Sequence, residues 1–348
     1  MAHLSWCASM LAAAPLLFST GLVLPSLRAP DAAVLRVAAA PQCMAAALEP
    51  GDKVAVVGAS GNVGKLVALR LSDSFKVTGV SRNPSRVRDF LPSDKVELAQ
   101  ADLDDPAALE KALSGAQACV ICTGTTAFPT QAWSKSGEEG VFTKVLKALS
   151  DTEEPMGEDL NALDIIKLRW QAMIRTLDGE GYNTPVNVDE KGTLAILKAW
   201  EAAAGASRKR LVMLSSIGVQ RRTQMPFPVL NACGVLDAKA AGEAAIQADA
   251  AAGGYAYTIV RPGQLFGGPY DNNYYLGTLF QLDKDAETQD VEVARGDTLL
   301  GDTLRSTLAE VTAQLMESGS ALDLDFAVVN QKGEPPSVEQ VRQRLAGL

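Results

Sequence analysis

A strand-length run, Lys53 to Val57, leads directly into Gly58-Ala59-Ser60-Gly61-Asn62-Val63-Gly64, and Lys65 to Leu71 follows with helical spacing. In this G-x-x-G-x-x-G order Gly58 suits a tight turn, Gly61 leaves the backbone open to a pyrophosphate, and Gly64 lets helix and strand pack closely. The N–H groups and dipole of the helix start would hold the phosphates. A glycine pattern alone is weak; the strand before it and the helix after it supply the required context. Ser60, Asn62 and Val63 complete the loop as further expected contacts to a dinucleotide.

Apolar runs of strand length alternate with helix-period segments along most of the chain, as in βαβ units with a parallel sheet. Strands are expected at Lys53 to Val57, Lys76 to Val80, Val96 to Ala101, Ala118 to Cys122, Arg210 to Ser215, Tyr257 to Arg261 and Leu324 to Val329. Helices are expected between them, at Asp105 to Leu113, Val188 to Ala203, Leu236 to Ala250 and Thr303 to Ser318 among others. The fold class is α/β, a doubly wound parallel sheet of the Rossmann type over residues 47–348. One connection is too long for that plan. About 60 residues separate the fourth strand from the helix near Val188, where about 2 to 6 are usual. Phe142, Val145, Leu146 and Leu149 keep helical spacing within it, and Leu163, Ile166, Trp170, Met173 and Leu177 follow at alternating steps of three and four. Residues 134–182 therefore read as an inserted helical pair. Its apolar stripe packs on the parent domain or the sister helix, or else faces a protein partner.

The end of the second strand selects the cofactor. An acid there would accept the adenosine ribose 2′-OH; the chain instead has Ser81-Arg82-Asn83, and a guanidinium suits a 2′-phosphate. NADP(H) is expected over NAD(H). Ligands gather at the carboxyl ends of parallel strands, which places Asp102 and Leu103 near the adenine and Thr123 and Gly124 beside the cofactor ribose. Arg261, Pro262 and Gly263, ending the sixth strand, join the expected cofactor contacts.

Charge and composition narrow the alternatives. The net charge of −9 offers no general basic field, so nucleic acid is not an expected partner. The single histidine is His3. If the first segment is removed, the mature chain holds none, which excludes Ser-His-Asp and Cys-His catalysis and histidine metal sites. Cys119 and Cys122 form C-x-x-C inside a strand, where an offset of three puts side chains on opposite faces, so they read as strand cysteines rather than a redox pair. Residues 1–46 are rich in Ala, Leu, Ser and Pro with one acid, Asp31, and two arginines, Arg28 and Arg36. That composition is expected of a transit segment, plastid first and mitochondrial second, with a two-part address as another form. Pro15 interrupts the apolar run from Ala8 to Leu24, and no membrane span is expected in the mature chain.

Four motifs in order give the chain a resemblance to the atypical short-chain dehydrogenase/reductase family, in its NmrA-like NAD(P)H-binding branch of plastids and cyanobacteria. They are the loop Gly58 to Gly64, Cys122-Thr123-Gly124-Thr125-Thr126-Ala127-Phe128-Pro129, Leu214-Ser215-Ser216-Ile217-Gly218-Val219, and Tyr257-Thr258-Ile259-Val260-Arg261-Pro262-Gly263. In relatives a Trp and a Thr-Pro...Asp stretch follow the Phe-Pro pair, resembling Trp133 and Thr184-Pro185...Asp189. The resemblance implies that Ser215 or Ser216 orients a substrate carbonyl and that Lys239 holds the nicotinamide ribose. It also implies a proton-donating Tyr four residues before Lys239, and that position is Val235. Tyr270, Tyr274 or Tyr275 would have to stand in. Two functions follow as expectations: a plastid NADP(H)-binding regulatory or assembly factor, and an NADPH-dependent reductase of a small carbonyl, enone or quinone.

Overall fold

The structure is a computed structural model that describes residues 48–136, 139–151, 162–267 and 287–348, with the side chains of 162–167 excepted. Seven strands form where the apolar runs fall: β1 (Lys53–Val57), β2 (Lys76–Ser81), β3 (Val96–Gln100), β4 (Ala118–Ile121), β5 (Arg210–Leu214), β6 (Ala256–Pro262) and β10 (Leu324–Gln331). All seven are parallel to their neighbours, in the order β3-β2-β1-β4-β5-β6-β10. An eighth strand, β8 (Asp290–Arg295), adds antiparallel to β10, and β7 (Gln264–Phe266) pairs with β9 (Asp302–Leu304) in a small second sheet.

Period-two alternation along the strands builds two cores. Val54 and Val56 of β1, Ala118 and Val120 of β4 and Val212 of β5 face one layer of helices: α1 (Gly64–Leu71), α7 (Arg305–Ser318) and α8 (Val338–Ala346). Ala55 and Val57, Cys119 and Ile121, and Leu211 and Met213 face the other layer, α2 (Pro106–Ala112), α5 (Gly192–Ala204) and α6 (Val235–Gly253). Both faces are covered, which is why the central strands read as unbroken apolar runs. Cys119 and Cys122 indeed go to opposite faces. Burial pushes the Cys119 thiol up to about 12, so it is an inert core group.

The strand order reverses between β1 and β4, and the crevice at their carboxyl ends is where such sheets take ligands. Three segments converge there. The glycine loop leaves β1, Thr123–Thr125 leaves β4, and a π-helical turn, Val186–Lys191, feeds α5.

Between β4 and that turn lie the two inserted helices, α3 (Phe142–Ser150) and α4 (Ala162–Gly179). They share a core of their own. Val145 and Ala148 of α3 meet Met173, Ile174 and Leu177 of α4 around Trp133, with Tyr182 and Cys233 closing the cluster. Met173 and Leu177 are buried there and Trp170 is half-buried. The described part of the stripe expected to face either inward or toward a partner, Trp170, Met173 and Leu177, is therefore turned inward, onto the sister helix and Trp133. The expected transit segment 1–46, the side chains of Leu163 and Ile166, and Tyr270, Tyr274 and Tyr275 lie outside the described residues.

Candidate functional site: a dinucleotide crevice

The glycine loop is shaped by its backbone neighbours. Gly58 has φ +90°, and a Cβ there would lie 2.9 Å from the Thr123 nitrogen; at Gly64 it would lie 2.1 Å from the Gly58 carbonyl oxygen. Both positions exclude any side chain. Gly61 differs. It is exposed, and its Cβ would meet only the Gly58 oxygen, at 3.2 Å, with nothing else within 4 Å. The open flank at Gly61 and the amino end of α1, which no side chain caps, fit a pyrophosphate. Gly58 and Ala59 donate their N–H groups to the Val80 carbonyl, and the buried Ser81 hydroxyl donates to Ser60 Oγ at 2.7 Å. The loop is thereby tied to the end of β2, where the adenosine ribose would lie.

Arg82 stands half-buried at that end. Its Nη1 donates to the Lys135 carbonyl at 2.8 Å and to Asn183 Oδ1 at 3.0 Å. Both partners belong to the base of the insertion. Asp102 is exposed beyond β3, and Leu103 packs so closely on the start of α5 that a Cβ at Gly192 would lie 2.7 Å from its Cδ1.

At the other end of the crevice Lys239 of α6 donates to Asp189 Oδ1 at 2.7 Å. Asp189 sits on the π turn with a fully buried side chain, and its Oδ2 accepts from the Thr125 N–H at 3.3 Å. Burial pushes the Asp189 carboxyl above the usual carboxylate range, opposed by the Lys239 ammonium and the Thr125 amide. Gly242, one turn beyond Lys239, permits this approach, since a Cβ there would lie 2.7 Å from the Asp189 carbonyl oxygen. The pair lies directly under the β4 loop: a Cβ on the exposed Gly124 would be 3.3 Å from the Lys239 ammonium and from Asp189 Oδ1. The Thr123 hydroxyl beside it is buried without a hydrogen-bond partner among the described residues. A ribose over Gly124 would lie within reach of Lys239.

The remaining expected residues divide. Ser215 is buried and its hydroxyl donates to Glu243 Oε1 at 2.5 Å, while Ser216 is half-buried and donates to the Ile217 carbonyl at 3.0 Å. Arg261 is 1% exposed, with Nε and Nη2 on Glu243 and Nη1 on Asp325. The guanidinium is buried and held by two carboxylates, which corrects the expectation that it contacts cofactor. The Pro262 carbonyl accepts from the Ile217 N–H. Gly263 packs on the backbone of Gly301, where a Cβ would lie 2.0 Å from the carbonyl oxygen, so it is a close-packing glycine between β6 and β7. Val235 lies in an apolar cluster with Val219, Phe227 and Leu236, against which Ala127 and Ile217 pack.

Glu243, four residues after Lys239, offers an ordinary ion pair by its spacing, but it meets Ser215 and Arg261 instead; Asp189 and Asn183 are the residues sequence reasoning missed. Asp189 served only as a landmark after Thr184-Pro185, although an acid inside an apolar helical stripe is itself a signal. Asn183 carries no such mark, because Arg82 is far away in sequence.

A reductase from Streptomyces griseus that acts on (4-alkanoyl-5-oxo-2,5-dihydrofuran-3-yl)methyl phosphate is 33% identical over 108 residues, 30% of this chain and only 38% of that protein. Among solved structures, one described as an NAD-dependent epimerase/dehydratase from Bacillus halodurans superposes with a TM-score of 0.53 at 19% identity, covering 85% of this chain and 100% of that one. An oxidoreductase from Lactococcus lactis gives 0.51 at 16% identity, covering 85% and 97%. These likenesses show the Rossmann fold. The family described as NAD(P)H-binding matches residues 58–154 and 170–317, from the first glycine of the loop to the end of α7. With the match broken only between residues 154 and 170, and with a loop and helix start that fit a pyrophosphate, the chain belongs to the NAD(P)H-binding family.

Proposed function

We propose that the protein is a plastid NADP(H)-binding regulatory or assembly factor of the NmrA-like branch, and not a tyrosine-dependent reductase. The observation that carries this reading is Val235. The position of the proton donor is an aliphatic side chain buried among Val219, Phe227 and Leu236, so it has no proton to give. The neighbouring groups are engaged inward as well, Ser215 on Glu243 and Lys239 on Asp189. Arg82 at the end of β2 supports NADP(H) over NAD(H). The transit-like composition of residues 1–46 supports a plastid address, with the mitochondrion second. A protein partner at the insertion would meet Phe142 and Leu146, which α3 leaves exposed.

A second reading, an NADPH-dependent reductase of a small carbonyl, enone or quinone, is favoured by the Asp189–Lys239 pair and the partial likeness to a reductase. Bound NADPH supplies a hydride. In this chain Lys239 would hold the ribose, and among the described residues the Asp189–Lys239 pair would serve as a proton source, since Val235 has none.

Mixing the purified chain with NADPH and a panel of carbonyl and quinone acceptors separates the two. The expected result is tight NADPH binding with no acceptor-dependent loss of nicotinamide absorbance. Oxidation that disappears in Asp189→Asn would make the reductase the function.

A further inference from the structure

The base of the insertion meets the cofactor crevice at the end of β2, and it brings charge there. Arg82 Nη1 is tied back by two acceptors, the Lys135 carbonyl and Asn183 Oδ1. No acceptor among the described residues meets Nε or Nη2. A guanidinium anchored through one nitrogen presents its opposite edge, and two parallel N–H groups on one edge suit two phosphate oxygens.

The anchor is itself fixed. Asn183 donates its N–H to the Trp133 carbonyl at 2.8 Å and its amide to the Ser134 carbonyl, and its own carbonyl accepts from Thr125 Oγ1 at 2.9 Å. Lys135 adds a second cation. Its ammonium lies 5.4 Å from the centroid of the Tyr182 ring, a cation–π contact on the residue just before Asn183. The Lys135 ammonium and the Arg82 guanidinium are therefore both held on the Tyr182–Asn183 step, and neither forms an ion pair among the described residues. Two cations held on one dipeptide raise the local positive potential, and an anion beside them would be attracted to both.

We infer that the base of the insertion completes the 2′-phosphate pocket, with Lys135 as the second cation beside Arg82. The inference rests on the NADP(H) reading and deepens it. A phosphomonoester dianion, the group that distinguishes NADP(H) from NAD(H), matches two positive charges better than one. The base of the insertion thereby determines which dinucleotide the crevice takes.

Titration of the full chain with NADPH and with NADH, followed by nicotinamide fluorescence, tests this. Lys135 is exposed, so its replacement leaves the fold intact. Lys135→Ala should weaken NADPH by about tenfold at low salt, in keeping with one charge–phosphate contact, and leave NADH unchanged. Lys135→Arg should restore NADPH. If Arg82→Ala lowers NADPH selectively while Lys135→Ala does not, the Lys135 assignment is overturned and the NADP(H) reading stands. Equal affinity of the unaltered chain for NADPH and NADH overturns both.

Discussion

The Arg261 guanidinium is held at Nε and Nη2 by Glu243 and at Nη1 by Asp325, and Glu243 also accepts from the Ser215 hydroxyl. Desolvation works against the charge on Arg261, and the two carboxylates outweigh it, holding the guanidinium above its ordinary value. Removing one partner of such a group leaves an uncompensated buried charge, which costs about 3–5 kcal/mol. Arg261→Met should therefore lower the urea midpoint strongly while the folded fraction binds NADPH as before. A variant of undiminished stability with lost NADPH affinity would return Arg261 to the cofactor set. The contrast with the glycine loop explains what sequence could show. Gly58, Gly61 and Gly64 act on one another across six residues, so their spacing is the signal. Arg261 meets Glu243 at a separation of 18 and Asp325 at 64, and Lys239 meets Asp189 at 50. An Arg-Pro-Gly at a strand end resembles a ligand contact until the fold shows what already fills it.

The insertion shows the same limit for whole elements. Steps of three and four from Trp170 to Leu177 specify a helix, and α4 forms over them. They do not say which surface the apolar face meets. Both α3 and α4 are amphipathic, and each covers the other around Trp133. Because this small core is separate from the two cores of the sheet, it should lose order on its own. Met173→Ala removes a fully buried side chain, and large-to-small changes of this kind cost about 2–5 kcal/mol. Hydrogen exchange should then show amides of α3 and α4 losing protection while β1, β4 and β5 keep theirs. Equal loss throughout the sheet would mean that the insertion and the parent domain unfold as one unit.

Across the whole sheet the parallel strands were legible and the antiparallel edge was not. Strands buried on both faces read as apolar runs, whereas Asp290-Val291-Glu292-Val293-Ala294-Arg295 alternates with period two, the pattern of an edge with one solvated face. The helix that covers this edge also carried its mark: Ser337 and Gln340 form a capping box at the start of α8. Val341 and Leu345 of α8 enter the core beside Val291, and Arg344 Nη1 donates to Asp290 Oδ1 at 2.7 Å and to the Val291 carbonyl. Arg344 holds the Asp290 carboxyl below its ordinary value, so the unfolded chain takes up that proton first as pH falls. The contribution is complete above the ordinary aspartate value of about 3.9 and is lost as pH drops through the lower folded value. Thermal melts of the unaltered chain and Arg344→Ala should thus differ at neutral pH and converge in acid. The side chain of Asp290 is 38% exposed, so the difference is small and should shrink further in about 1 M salt. A difference that persists unchanged in acid and in salt would assign the effect to the Val291 carbonyl bond and the packing of α8, leaving the charge on Asp290 without a part in closing the sheet.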